Sequence, residues 1–174
     1  RGMGDMTFDQ DVGAWDVGNV TTMNRMFGTA RDDVSYRFNV FNNGGSSSIS
    51  GWNTSNVTNF DSMFRNARIF NQPIGYWNTS SLTNMSYMLR SAVSFDQDLS
   101  NWTVTGVTNA AGFLRYAALS TTNYDSTLSG WSSQSVQNGV SVGFGNSQYS
   151  TATGLAYRNA LVSAGWTITD GGAA

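Results

Sequence analysis

The chain has 174 residues, a length suited to one domain with its own core. All 9 positive side chains are arginine, all 11 negative ones are aspartate, and cysteine and histidine are absent, leaving a net charge of −2. Those counts exclude a disulfide scaffold, a thiolate metal site and cysteine or histidine catalysis, and they give no long-range attraction to nucleic acid.

Without lysine or glutamate, and rich in Ser, Thr, Asn and Gly, the chain favours strands and turns over helix. Five tryptophans, Trp15, Trp52, Trp77, Trp102 and Trp131, mark a repeating unit. The intervals Trp52 to Trp77 and Trp77 to Trp102 are both 25 residues. A period near 25 predicts a solenoid, in which no coil buries its apolar face without its neighbours.

Other columns fall into register on the tryptophan. Seven residues before it stand Phe8, Phe70, Phe95 and Tyr124, and three before it Val12, Ile49, Ile74, Leu99 and Leu128. After it come Val57, Leu82 and Val107, then Met63, Met88 and Phe113, then an alanine column of Ala30, Ala67, Ala92 and Ala117. Alanine in every unit predicts a crowded corner where only a small side chain fits. Thr21, Thr58, Thr83 and Thr108 form one polar column, and Asn59, Asn84 and Asn109 the next, with Thr22 in the first unit. Buried asparagines there are expected to satisfy backbone groups where the chain bends. The alternation of apolar and polar residues between the Phe and Trp columns predicts one short strand per coil in that segment.

Two units carry insertions. Phe27 to Trp52 is 25 residues against 13 from Phe64 to Trp77, and a second insertion of four lies near Ser120 to Asn123. After Val136 the period stops. Val140 to Val142 reads as a strand, residues 150–164 as an amphipathic helix capped by Ser150 or Thr151 and ended by Gly165, and Trp166 to Ile168 as a last strand. The expected division is therefore 1–136 for the coils, with an insertion within 28–50, and 137–174 for a cap that covers the last coil. Arg1 to Met6 begin in mid-repeat, which is read as the start of a segment of a longer protein.

Three polar features are candidates for function. Arg65, Arg90 and Arg115 each stand 13 residues after a tryptophan. Stacked, they would form a cationic stripe for acidic glycan, carboxylate or phosphate, or else lean over Tyr87, Tyr116 and neighbouring carbonyls. Tyr76, Tyr87 and Tyr116 are the tyrosines for sugar stacking or protein contact, against ordinary surface tyrosines. Asp9, Asp11, Asp96, Asp98 and Asp125 form an acidic stripe. Asp96 and Asp98 are weak calcium candidates, against turn bonding, because Pro73 and Thr127 break the pairing. No catalytic motif is present, and no metal site beyond those two aspartates is expected.

The units DQDLSNWTVTGVTN (96–109) and NQPIGYWNTSSLTNMSYM (71–88), with the ending GWTITDGG (165–172), resemble the BspA-like leucine-rich-repeat surface proteins. The resemblance implies a right-handed α/β repeat solenoid with short parallel strands, irregular turns and, here, a C-terminal capping helix. It also implies a secreted, surface-displayed adhesin-type binding module without catalysis or cofactor. The expected partner is a glycan or a host, prey or matrix surface protein, with no nucleic acid and no membrane insertion by this segment. A spacer or stalk without a ligand, and self-association through the N-terminal side, are the other readings.

Overall fold

The computed structural model describes residues 7–29 and 39–174. Arg1 to Met6, Ala30 and the first part of the insertion lie outside them.

The threonine column builds the first seam between units. The N–H groups of Thr58, Thr83 and Thr108 donate to the carbonyls of Thr21, Thr58 and Thr83, each at 2.9 Å. Each threonine hydroxyl donates to the same carbonyl, at 3.1, 3.1 and 3.3 Å. Next to it the parallel bridges Thr22↔Asn59, Asn59↔Asn84 and Asn84↔Asn109 join successive units. The asparagine side chains act locally. Asn59, Asn84 and Asn109 accept from the N–H two residues on, at 2.8, 3.0 and 3.2 Å, and so hold an Asx turn. They are half-buried or exposed, not buried, because they stand at the edge of the ladder.

Beyond the asparagines the backbone alternates its donors. Phe60, Ser62, Phe64 and Asn66 donate to the carbonyls of Asn84, Ser86, Met88 and Arg90 in the next unit. Met63, Arg65 and Ala67 instead donate three residues back, to Phe60, Ser62 and Phe64. Met85, Tyr87, Leu89 and Ser91 repeat the pattern against Asn109, Ala111, Phe113 and Arg115. The ladder is therefore parallel and continuous, yet each unit is a run of tight turns. The turns need left-handed backbone at fixed columns: Arg25, Ser62, Tyr87 and Gly112 in one, and Asn66, Ser91 and Tyr116 in the other, with φ between 53° and 66°. This corrects the expectation of a strand between the Phe and Trp columns. The pairing lies after the tryptophan, as single bridges, and the predicted strand segment is a 3-10 turn at Ser47–Gly51 and Ile74–Tyr76. Left-handed residues break the ladder after the tryptophan into single bridges, and before Trp77 the bond from its N–H to Ile74 O closes the segment as a turn.

The apolar columns form one core. Ala67 and Ala92 are fully buried in it and Ala117 nearly so. A hydrogen-bonded spine ties the units together. The indole N–H groups of Trp52, Trp77, Trp102 and Trp131 donate to the carbonyls of Val12, Ile49, Ile74 and Leu99, at 3.2, 2.8, 3.0 and 2.9 Å. Each tryptophan thus caps the carbonyl three residues before the preceding tryptophan. Trp15, first in the series, is 47% exposed.

The insertion is divided. Phe41 stacks on Phe27 at 3.8 Å as Phe70 stacks on Phe64 at 3.9 Å, so Phe41 is the Phe-column member of the second unit. Part of the extra chain thus falls before Phe41, and four residues fall between Phe41 and Trp52, where the 3-10 turns Asn43–Gly45 and Ser47–Gly51 lie.

The last units differ. Helix α1 spans Thr121–Ser132, strand β1 Ser141–Gly143, helix α2 Gly154–Ser163 and strand β2 Thr167–Thr169. α1 was not predicted. It places Tyr124, Thr127, Leu128 and Trp131 on its buried face. The four inserted residues supply its N-cap, Ser120, whose hydroxyl accepts from Asn123 N–H at 3.4 Å, and its first turn. α2 begins later than predicted, after a turn. Ser150 still serves its start, accepting from the N–H groups of Thr153 and Gly154 at 3.3 and 3.1 Å. β1 pairs in parallel with β2, and Ala110↔Val142 joins β1 to the preceding units. The inter-unit ladder therefore runs on past Val136. At the end, Asp170 accepts from Tyr124 hydroxyl and from Arg158 Nε, both at 2.8 Å. Burial and Asp170 push the Tyr124 phenol far above its usual pKa. Burial also opposes the Arg158 charge, but the Asp170 bond and charge outweigh it and raise that pKa.

Candidate functional site

The ladder turns bring the arginine column beside the left-handed tyrosines. Arg65 and Arg90 both lie by the Tyr87 ring, at 5.9 and 5.7 Å from its centre. Arg90 and Arg115 both lie by the Tyr116 ring, at 5.1 and 4.8 Å. Arginine and tyrosine therefore alternate along the column. The negative ring faces lie between guanidinium groups that would otherwise repel, and each such contact contributes about 0.5–2 kcal/mol. Arg65 and Arg90 are only 9% exposed, whereas Arg115 is exposed and Tyr116 is 56% exposed. Of the sequence candidates, then, the column gathers Arg65, Arg90, Arg115, Tyr87 and Tyr116, and only its last pair reaches solvent well. Tyr76 stands elsewhere in the unit, 76% exposed, at the end of the 3-10 turn before Trp77.

The aspartate stripe is engaged in joining units. Asp9 Oδ1 accepts from the N–H groups of Asn42 and Gly44, at 2.7 and 2.8 Å. Asn42 then accepts from Asn71 N–H at 3.0 Å, and Asn71 from Asp96 N–H at 2.9 Å. Asp96 accepts from Ser120 N–H and hydroxyl and from Asn123, at 2.8, 3.0 and 3.0 Å. Asp125 accepts from Ser150 N–H at 3.0 Å. Partial burial acts to raise the Asp96 pKa, but the bonds from Ser120 and Asn123 outweigh it and hold the carboxyl below its usual range. Asp11 is likewise held low, by the Ser48 hydroxyl and the Gly13 N–H. Asp98 accepts from Ser100 N–H at 2.8 Å, a local turn. Among the described residues no three acidic, histidine or cysteine side chains gather as a metal site.

At the open end of the arginine column lies a recess of about 290 Å³, bordered by Tyr87, Gly112, Arg115, Ser141, Gly143 and Thr169. Sequence reasoning named its tyrosine and arginine but missed the rest. The signal was present: the column that holds Ser62 and Tyr87 holds glycine at Gly112.

Stacked units joined by a parallel ladder, an aromatic core and repeated side-chain hydrogen bonds define a repeat protein. The chain belongs to the family described as Mycoplasma protein of unknown function, DUF285, whose model matches residues 3–42 and 32–153. No curated protein and no solved structure matches it.

Proposed function

We propose that this chain is a non-catalytic binding module of a surface-displayed protein, similar to the BspA-like group, built as a leucine-rich-repeat-like right-handed solenoid. It acts outside the cell and contacts an acidic glycan or a protein surface through the face that carries the arginine–tyrosine column. One observation carries this reading. The column ends in an exposed arginine and tyrosine, Arg115 and Tyr116, whose positions the buried part of the same column fixes. An exposed cation on a pre-set ring loses little freedom on binding. No helix among the described residues is long and apolar enough to cross a membrane.

The test is a glycan and matrix-protein array, at low and raised salt, with and without calcium. Arg115→Ser should abolish a salt-sensitive hit while the Tm barely moves. Arg65 and Arg90 make poorer probes, because removing a buried partner of Tyr87 also loosens the fold. The burial of those two arginines favours a second reading, a spacer that stiffens a longer protein. A folded protein with a blank array would move the conclusion to that reading.

A further inference from the structure

We propose that the recess at the end of the arginine column is a site for one carboxylate-bearing sugar residue. The proposal deepens the binding-module reading and rests on it.

Two bare backbones let the walls of the recess pack closely. Gly112 has φ +59°, and a Cβ there would stand 2.7 Å from the Tyr87 ring. Gly143 lies beside it, where a Cβ would come within 3.1 Å of Gly112 Cα. Tyr87 forms one wall with its edge, since Arg65 and Arg90 lie by the same ring. Arg115 stands at the border and, among the described residues, has the Tyr116 ring as its side-chain partner. Its position is set by the backbone, through a turn bond from its N–H to Gly112 O at 3.1 Å and a bond from Ser91 N–H to its carbonyl at 2.8 Å. Ser141 and Thr169 bring hydroxyls from the outward faces of β1 and β2.

The chemistry fits an acidic pyranose. A guanidinium takes a carboxylate as a planar fork. The two hydroxyls suit ring hydroxyls. At about 290 Å³ the recess sits at the small end of ligand sites, which run from about 300 Å³. That volume suits a single sugar ring, and the two hydroxyls beside the guanidinium favour a hydroxyl-rich acidic glycan end over an acidic protein segment.

The experiment follows amide NMR shifts of the labelled chain during titration with methyl glucuronide, methyl glucoside and N-acetylglutamate amide. Methyl glucuronide should shift the amides of Gly112, Ser141, Gly143 and Thr169, and the neutral glucoside should bind at least tenfold more weakly. Arg115→Gln should weaken the response at least tenfold. Ser141→Trp should fill the recess and remove the response, with the remaining spectrum preserved. Absence of shifts at these amides on the folded protein would overturn the site. So would an equal response to N-acetylglutamate amide, which would assign the recess to acidic peptide side chains, or a response indifferent to both substitutions. An array hit that survives Ser141→Trp would remove the sugar site and leave the binding-module reading standing. A blank array together with absent glucuronide shifts would remove both.

Discussion

The units of Trp77 and Trp102 share an apolar spacing with the unit of Trp131, and the three fold it differently. Phe70, Ile74 and Trp77, then Phe95, Leu99 and Trp102, then Tyr124, Leu128 and Trp131 all stand at i, i+4 and i+7. That is the spacing of one helical face. In the Trp77 unit it closes as a 3-10 turn, in the Trp102 unit it stays irregular, and in the Trp131 unit it becomes α1. What differs is length and chemistry. Only two residues separate Ala67 from Phe70, with Pro73 and Gly75 following, whereas six separate Ala117 from Tyr124. The longer connection provides a cap and a first turn, the costly part of starting a helix. From Asn42 onward the same column follows this division, whereas the acid Asp9 faces the 3-10 turn Asn43–Gly45. The residue facing the start of α1 is the acid Asp96, and the one facing the approach to α2 is the acid Asp125. The amides Asn42 and Asn71 stand where no α-helix follows. A carboxylate at a helix N-terminus is favoured by about 0.3–1 kcal/mol.

The largest expected effect tests what the units share. Trp102→Ala removes a fully buried indole and its bond to the Ile74 carbonyl, which keeps only the Trp77 N–H. Denaturant unfolding should show a loss of about 3–5 kcal/mol. Trp15→Ala, at the half-exposed end of the series, should lose clearly less. If the two losses are equal, the spine does not hold the units together.

Next comes the contrast itself. Thr127→Pro places in α1 the residue that Pro73 supplies four positions before Trp77. It should cost about 3 kcal/mol or more in a helix interior. It also removes the Thr127 hydroxyl that accepts from Leu99 N–H at 3.2 Å. Circular dichroism should show loss of helical signal. A proline variant as stable as the parent would mean that α1 is incidental to the unit.

The third prediction concerns pH. Because the Asp96 carboxyl is held low, its contribution is complete above the ordinary aspartate pKa and is lost as pH falls through the lowered value. Asp96→Ala should cost about 1 kcal/mol at neutral pH, the usual worth of such bonds. Asp96→Asn keeps an acceptor, as Asn71 does in the same column. It should flatten the acid limb of a Tm-versus-pH profile while changing neutral stability less. Identical acid limbs in parent and Asn variant would refute the assignment.

The smallest effect is a gain. Ser91 holds φ 59°, which costs an ordinary L-residue roughly 1–2 kcal/mol. Ser91→Gly should raise stability by about 0.5 kcal/mol, after the glycine entropy is subtracted. Asn66→Gly should gain less, because asparagine tolerates this backbone and Asn66 Nδ2 also donates to Thr29 Oγ1 at 3.0 Å. A loss at Ser91 would show that its side chain matters more than its backbone.

The sequence by itself determined the unit and its columns. Tryptophan, threonine and alanine positions were legible because burial and stacking repeat with the chain, and each side chain type meets the same neighbour in every unit. It also determined the charge inventory, and with it the arginine column. The tertiary structure alone decided where the backbone pairs, since alternating inter-unit and three-residue turns leave no period-2 signature. It decided that Arg65 is buried beside the Tyr87 ring and Arg90 between the Tyr87 and Tyr116 rings while Arg115 reaches solvent, because burial depends on what the next unit places opposite. It also brought Ser141, Gly143 and Thr169 beside Arg115. Those residues lie outside the period, and only parallel pairing to the last units puts them on the same face.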